Sequence, residues 1–361
     1  MKRAKRILSI GLVGPVPPPA GGMAMQTLQL KRLLEDRGHK VSLIPVNEAY
    51  RPLWIEKLPI LRAVFRLFWY RRTLKEKLSE LDVVHLMANS GWSFHLFARP
   101  AVSVAFSLGV PIIINYRGGG AREFFNKSWK YVAPVFDKAS SVVVPSGFLD
   151  EVFRDFGQDS KVIPNIVDLS LFQYRKPEMS KRNIVVIVTR NLEKIYDNET
   201  AIRAFAQFYQ DNPFATLKIA GSGGELSSLE NLVGELNIES QVEFLGRLNR
   251  ADMVALYGEA DIMLNPSTVD NMPNSVLEAL ASGTTVVTTN VGGIPYMVSD
   301  EDTVLMVPPS SPEDMAEAMQ RLVVEPEFSV SMSKRGLDLV NSFQPIQVVP
   351  KLEALYLKVM K

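Results

Sequence analysis

The chain has 361 residues, 47% hydrophobic and 22% charged, with 40 basic side chains against 39 acidic ones and no cysteine. At about 150 residues per domain, this length suits two domains, each able to bury its own core. A formal charge of +1 weighs against a nucleic-acid partner, which ordinarily demands a basic excess. The missing cysteine excludes disulfides, thiolate metal sites and cysteine nucleophiles, and it suits a reducing compartment.

The basic start, Lys2 to Arg6 followed by ILSIGLVG, superficially resembles an export signal. Its apolar run is broken by Pro15, Pro17, Pro18, Pro19 and Gly21-Gly22, so it reads as a buried first strand. Further β-branched runs follow at 40–46, 82–87, 111–115 and 140–146, with helical patterns between them, as at 23–37 and 100–108. Residues 164–183 are polar and rich in turn formers. A second series opens with NIVVIVTR (183–190) and continues through ATLKIAG, QVEFLG, ADIMLNPS and TTVVTTNVGG. Strands apolar on both faces and separated by helices imply parallel sheets covered on both sides. The expected fold is α/β, with two Rossmann-like, doubly wound domains facing a central cleft. These are assigned to residues 1–172 and 183–343, with a closing helix at 344–361 that packs back on the first domain. The longest uncharged stretch, 100–116, contains Gly109 and Pro111 and is shorter than the ~20 apolar residues of a spanning helix.

Doubly wound sheets bind ligands beyond the carboxyl ends of their strands, which directs attention to the loops. The first loop, GPVPPPAGG (14–22), enters a helix at Met23. Gly21 and Gly22 permit close backbone approach, and the helix start offers free N–H groups to an anion. A plain proline-rich connection explains this loop equally well. Neither G-x-G-x-x-G nor G-x-x-x-x-G-K-[ST] is present, which disfavours dehydrogenase and NTPase chemistry. In the second half, Arg190 ends a buried strand and Lys194 follows four residues later. Two cations at a strand mouth suit a diphosphate, the structural alternative being an Arg190–Glu193 pair. The segment 264–298 then carries Asp270 in a polar loop, a helix opening near Pro273-Asn274, Glu278 in its first turns, and a strand leading to Gly292-Gly293. Helix-start amides near Asn274 to Val276 favour phosphate, and a carboxylate's two acceptor oxygens suit a ribose diol or a sugar. No His/Asp cluster suggests a metal, and Asp300 to Asp302 read as an exposed turn.

Segment 264–298 resembles the donor-site signature of family 4 glycosyltransferases, retaining enzymes of the GT-B fold. That signature has two acidic residues separated by seven others, then a small-residue turn and a Gly-Gly-Ile-Pro loop. The resemblance extends through Arg37-Gly38-His39, Asp82-Val83-Val84-His85, Pro164-Asn165-Ile166-Val167-Asp168 and Gly221-Ser222-Gly223. It implies that Glu278 holds the nucleotide ribose and Asp270 contacts the donor sugar. Arg190 and Lys194 would neutralise the diphosphate, approached by Gly21 and Gly22. Asn271, Met272, Pro273, Asn274, Ser275, Gly221 and Gly223 would complete the donor site. Two departures stand out. Asp270 replaces the usual glutamate and is one methylene shorter. Arg117, in Asn115-Tyr116-Arg117-Gly118-Gly119-Gly120, lies near a position where many relatives carry a catalytic-site histidine, and suits a donor phosphate or an acidic acceptor. The implied activity is retaining, metal-independent transfer, without a cofactor, from a nucleoside-diphosphate sugar to a saccharide or lipid-linked saccharide. The implied setting is cytoplasmic, in bacterial surface-polysaccharide synthesis. The alternatives are a GT-B epimerase or phosphorylase, and a non-catalytic sugar-nucleotide-binding protein.

Residues 51–77 carry eight basic side chains (Arg51, Lys57, Arg62, Arg66, Arg71, Arg72, Lys75, Lys77) against Glu56 and Glu76, a local +6 that leaves −5 elsewhere. Leu58, Leu61, Phe65 and Phe68 recur at helical spacing, and a basic helix of this kind can lie on an anionic membrane. Trp54, Arg62, Phe65, Arg66, Trp69, Arg71 and Arg72 are the expected contacts with the inner membrane face. The structural alternative docks the helix on the first domain with its arginines in water.

Overall fold

In the computed structural model, residues 6–18, 22–47, 59–180 and 182–361 are described. They form two compact units, one comprising Met1–Asn165 with Pro345–Lys361, the other Ile166–Gln344.

The first unit alternates β1 (Ser9–Gly14), α1 (Gly22–Asp36), β2 (Lys40–Pro45), α2 (Pro59–Leu78), β3 (Val83–Ala88), α3 (Arg99–Ser107), β4 (Ile112–Tyr116), α4 (Ala121–Phe136), β5 (Ser141–Val144), α5 (Gly147–Asp155) and β6 (Lys161–Val162). A π-helical turn, Phe94–Ala98, leads into α3 and contains His95. The strands order β2-β1-β3-β4-β5-β6, all paired in parallel. Every residue of β3 and β4 is buried, because helices cover both faces of the sheet. Leu86, Ile112 and Ile114 pack with Phe94, Phe125, Phe136 and Phe153. Each such side chain stabilises the unit by about 1.5–3 kcal/mol.

The second unit runs β7 (Val185–Val188), α6 (Asn198–Asp211), β8 (Thr216–Ala220), α7 (Leu226–Glu235), β9 (Val242–Gly246), α8 (Arg250–Glu259), β10 (Ile262–Asn265), α9 (Asn274–Ser282), β11 (Thr285–Thr289), β12 (Leu305–Val307), α10 (Pro312–Val324) and α11 (Pro326–Val340). Its order is β12-β11-β10-β7-β8-β9, again parallel throughout. Residues 166–172, placed by composition at the end of the first domain, belong here. Val167 and Phe172 join this unit's core, and the Val167 N–H donates to the Phe343 carbonyl at 3.0 Å. The boundary therefore falls at 165/166; turn residues reveal a turn, not the core it joins.

The final helix, α12 (Pro345–Val359), belongs to the first unit. It buries Val348, Val349, Leu352, Leu355 and Tyr356. Glu353 accepts from Arg37 Nη2 at 2.6 Å and lies 2.8 Å from His39 Nε2. His39 Nδ1 accepts the Leu8 N–H at 3.1 Å, which leaves the proton on Nε2 to donate to Glu353. The Arg37-Gly38-His39 motif is thus an anchor for α12.

On α2 the packed residues are Tyr70, Leu74 and Leu78, while Phe68 is 61% and Trp69 47% exposed. Phe68, expected on the helix's apolar stripe, therefore points away from the core. Arg71 and Arg72 are exposed beside it, and the Arg72 guanidinium lies 5.6 Å from the Trp69 ring centroid. Trp54, and the side chains of Arg62, Phe65 and Arg66, lie outside the described residues. Among the described residues no helix is long and apolar enough to cross a membrane.

Candidate active site

In the second unit the chain winds outward from β7 to β9, then returns to lay β10 against the other side of β7, with Leu264 opposite Val188. This reversal is a topological switch point, where the loops beyond two neighbouring strands diverge and leave room for a ligand. Arg190 follows β7 and Asp270 follows β10. Their side chains, 12% and 13% exposed, form an ion pair; Asp270, not the nearby Glu193, is the partner. Arg190 Nη1 also donates to Ser275 Oγ, in the first turn of α9, at 3.2 Å. The guanidinium stacks 4.2 Å from the centroid of the Tyr196 ring. Its Nε is buried and has no hydrogen-bond partner among the described residues.

Glycines hold both loops from behind. A Cβ on Gly221 would overlap the Arg190 carbonyl, and one on Gly223 the Leu192 carbonyl. Gly292, at φ +54°, and Gly293 press likewise against the Asp270 and Asn271 carbonyls, and the Gly293 N–H donates to the Asp270 carbonyl at 3.1 Å. Gly221 and Gly223, expected at the donor, pack against the Arg190 loop on the side a Cβ would take. The Met272 side chain is 7% exposed and packs with Val276 and Leu277 in the core, which leaves only its backbone to face a ligand. Asn271 and Pro273 are buried, and Asn274 and Ser275 open α9.

Glu278 lies just over a turn into α9. Its Oε1 is 2.7 Å from Arg250 Nη1, at the start of α8. The Tyr257 hydroxyl lies 2.9 Å from Thr189 Oγ1. Burial pushes the Glu278 carboxyl above the usual range, with Arg250 opposing it. Burial raises the Tyr257 phenol as well, keeping it a hydrogen-bond donor. The sequence reading missed Arg250 and Tyr257; Asn249, which caps α8 by accepting the Asp252 N–H at 3.0 Å, marks the helix start but not its partner. Lys194 is exposed in the turn Lys194–Tyr196 and forms no ion pair among the described residues. Of the two expected cations, Arg190 alone is built into the cluster.

Arg117 and Gly22 belong to the first unit. Gly22 opens α1, where an added Cβ would meet nothing within 4 Å; Gly21 lies outside the described residues. Arg117 follows β4 and its Nη1 donates to Gln26 Oε1 and Asn165 Oδ1. Among the described residues no group of three or more His, Asp or Glu is placed to hold a metal ion.

The family model for Glycosyltransferase Family 4 matches residues 20–171, and that for Glycosyl transferases group 1 matches residues 172–338. The chain belongs to the group 1, family 4 glycosyltransferases. The chain is 34% identical over 182 residues to a D-inositol 3-phosphate glycosyltransferase of Corynebacterium aurimucosum, covering 49% of this chain and 43% of that one. It spans under half the length of that relative. It is 23% identical to N-acetyl-alpha-D-glucosaminyl L-malate synthase of Bacillus anthracis, covering 95% and 96% of the two chains. The Anabaena protein HepE, solved in complex with UDP, has the same fold at 17% identity, with a TM-score of 0.76 over 97% of this chain and 99% of that one. The two parallel, doubly wound sheets are thus those of the GT-B fold. Asp270 and Glu278, the acidic pair to which the sequence resemblance points, are each held by an arginine.

Proposed function

We propose that this glycosyltransferase moves a sugar from a nucleoside-diphosphate sugar to a saccharide or lipid-linked saccharide, with retention of configuration and without a metal or cofactor. The carrying observation is the cluster at the switch point. Arg190, Asp270 and Ser275 converge there, with Glu278 one turn further along the same helix. Arg190 and the amides at the start of α9 offer a diphosphate a cation and a helix dipole. Glu278 offers a ribose diol two acceptor oxygens, and Asp270 does the same for the sugar. The UDP bound by HepE supports a nucleoside diphosphate as the donor's leaving group.

In the reaction the bond from the anomeric carbon to the diphosphate oxygen breaks, and the electron pair stays on that oxygen. The acceptor hydroxyl oxygen bonds the same face of the sugar, and its proton passes to the departing phosphate oxygen. Arg190 stabilises the growing negative charge; one such fixed donor is worth about 2.7–4 kcal/mol in a comparable oxyanion site. Phe68, Trp69, Arg71 and Arg72, exposed on α2, support an anionic membrane surface as partner. They support peripheral attachment on the cytoplasmic face, where surface polysaccharides are extended.

The test is incubation with UDP- and GDP-sugars, with and without a chelator, in the presence of soluble and polyprenyl-linked saccharide acceptors. Nucleoside diphosphate release with the chelator present, and a product whose anomeric proton coupling matches the donor's, is the expected result. Inverted product or chelator-sensitive turnover overturns the corresponding part of the proposal.

A further inference from the structure

We infer that Arg117 is the binding residue for an oxyanion, a phosphate or carboxylate group, carried by a substrate of this enzyme. The inference rests on the glycosyl-transfer reading above and adds to it the charge of what the first unit receives.

Arg117 stands at the carboxyl end of β4, with its backbone N–H tied to the Ala88 carbonyl at 2.9 Å. Gln26 comes from α1, which follows β1, and Asn165 from the segment after β6. Three connections from the same end of one sheet thus meet at a single guanidinium. Gly118 permits the close approach of the β3 loop, since a Cβ there would overlap Ser90 Oγ.

The side chains bonded to that guanidinium are neutral. Gln26 and Asn165 present amide oxygens, which accept hydrogen bonds without cancelling charge. His85 accepts from Asn115 Nδ2 at 3.0 Å through Nε2 and donates from Nδ1 to the Tyr356 hydroxyl at 2.9 Å. Burial first, and then Arg117 itself, push this histidine down to about 3, so it is neutral. Arg37, Arg175, Arg190 and Arg250 each face a carboxylate; Arg117 faces none among the described residues.

The guanidinium also keeps donors in reserve. Among the described residues its buried Nε has no hydrogen-bond partner, and Nη2 donates to none of them. Burial lowers its proton affinity only to about 10, so it remains a cation at neutral pH. A desolvated cation without a counter-charge is costly to a fold. An incoming oxyanion supplies both the missing charge and the acceptors, and a planar fork matches phosphate and carboxylate alike. Two sources carry such a group: the donor's diphosphate and an acidic acceptor.

Calorimetry on the full chain distinguishes them, comparing wild type with Arg117→Met and Arg117→Lys. The probes are UDP alone, and inorganic phosphate with and without UDP. Arg117→Met is expected to weaken phosphate binding roughly tenfold or more, the scale of a lost charged hydrogen bond. Arg117→Lys should weaken it less, since charge remains while the fork is lost. An equal loss in UDP affinity assigns the anion to the donor. Unchanged UDP affinity with a loss for phosphate alone assigns it to the acceptor. If folded variants bind both probes as wild type does, the inference is overturned; Arg117→Lys serves this purpose should Arg117→Met not fold. Wild type binding phosphate through Arg117 but no UDP instead overturns the donor reading and leaves this inference standing.

Discussion

Arg250 of α8 closes on Glu278 of α9 at 2.7 Å, so the carboxylate assigned to the nucleotide ribose already has a cationic partner from the neighbouring helix. The pair lies against Phe172, whose ring centroid is 4.9 Å from the Arg250 guanidinium. A ribose that engages Glu278 therefore meets an oriented carboxylate, held by Arg250 Nη1.

Donor affinity should follow the protonation of this carboxyl. Burial raises the Glu278 pKa above the ordinary value of about 4.3, so its proton arrives earlier as pH falls. UDP affinity is expected to decline as pH is lowered through that raised value, before an unperturbed glutamate would protonate. The same shift means the folded state holds this proton more tightly than the unfolded chain. Its contribution to stability therefore diminishes as pH rises from the ordinary range through the raised value. Calorimetric titrations of UDP at a series of pH values falling toward the ordinary carboxyl range, on wild type and Glu278→Gln, read the effect. Glu278→Gln should bind more weakly and without this dependence.

Gly293→Ala should damage the donor loop from behind. The added methyl overlaps the Asn271 carbonyl, forcing apart the segment that carries Asp270. A loss of about 1–3 kcal/mol, typical of overpacking, is expected in chemical denaturation, together with weakened UDP binding. Gly22→Ala, where a Cβ meets nothing within 4 Å, should leave stability close to wild type.

Glu353→Ala should loosen α12. It removes the acceptor of both Arg37 and His39 at a carboxylate only 12% exposed. About 2 kcal/mol is the expected loss, less than for a fully buried pair because Arg37 is 34% exposed. Amide hydrogen exchange across 345–359 measures it directly, and faster exchange there than elsewhere in the first unit is the expected pattern.

Vesicle flotation tests the surface of α2. Wild type should float with anionic vesicles and not with neutral ones, and should dissociate as salt rises. A Trp69→Ala, Arg72→Ala double variant, altering exposed residues alone, should lose most of this binding while its melting temperature is unchanged. Flotation of wild type that is indifferent to lipid charge excludes the electrostatic attachment.

Much of the fold is legible in the sequence because parallel strands covered on both faces must be apolar throughout; the runs at 82–87 and 111–115 mark β3 and β4, buried along their whole length, to within a residue. β6 and β12, of two and three residues, are too short to carry a period. The candidate site is legible where chemistry and local spacing coincide: Asp270 and Glu278 flank one helix start. Their cations are not equally so. Arg190 is read from its place at a strand end, but Arg250 reaches Glu278 across 28 residues and its own segment shows only an ordinary helix cap. Met272 enters the expected site through the family resemblance alone; its side chain turns into the core with Val276 and Leu277. Gly221 and Gly223 enter it the same way, and what the structure adds is that a Cβ on either would meet the protein's own backbone.

The most direct measurement is calorimetric titration of UDP into wild type, Arg190→Ala and Glu278→Gln, each first shown to melt cooperatively. If the cluster at the second unit's switch point holds the donor, wild type binds and each variant loses roughly tenfold or more in affinity, the scale of a lost charge-assisted hydrogen bond. Equal affinity in all three folded proteins would contradict that placement of the donor.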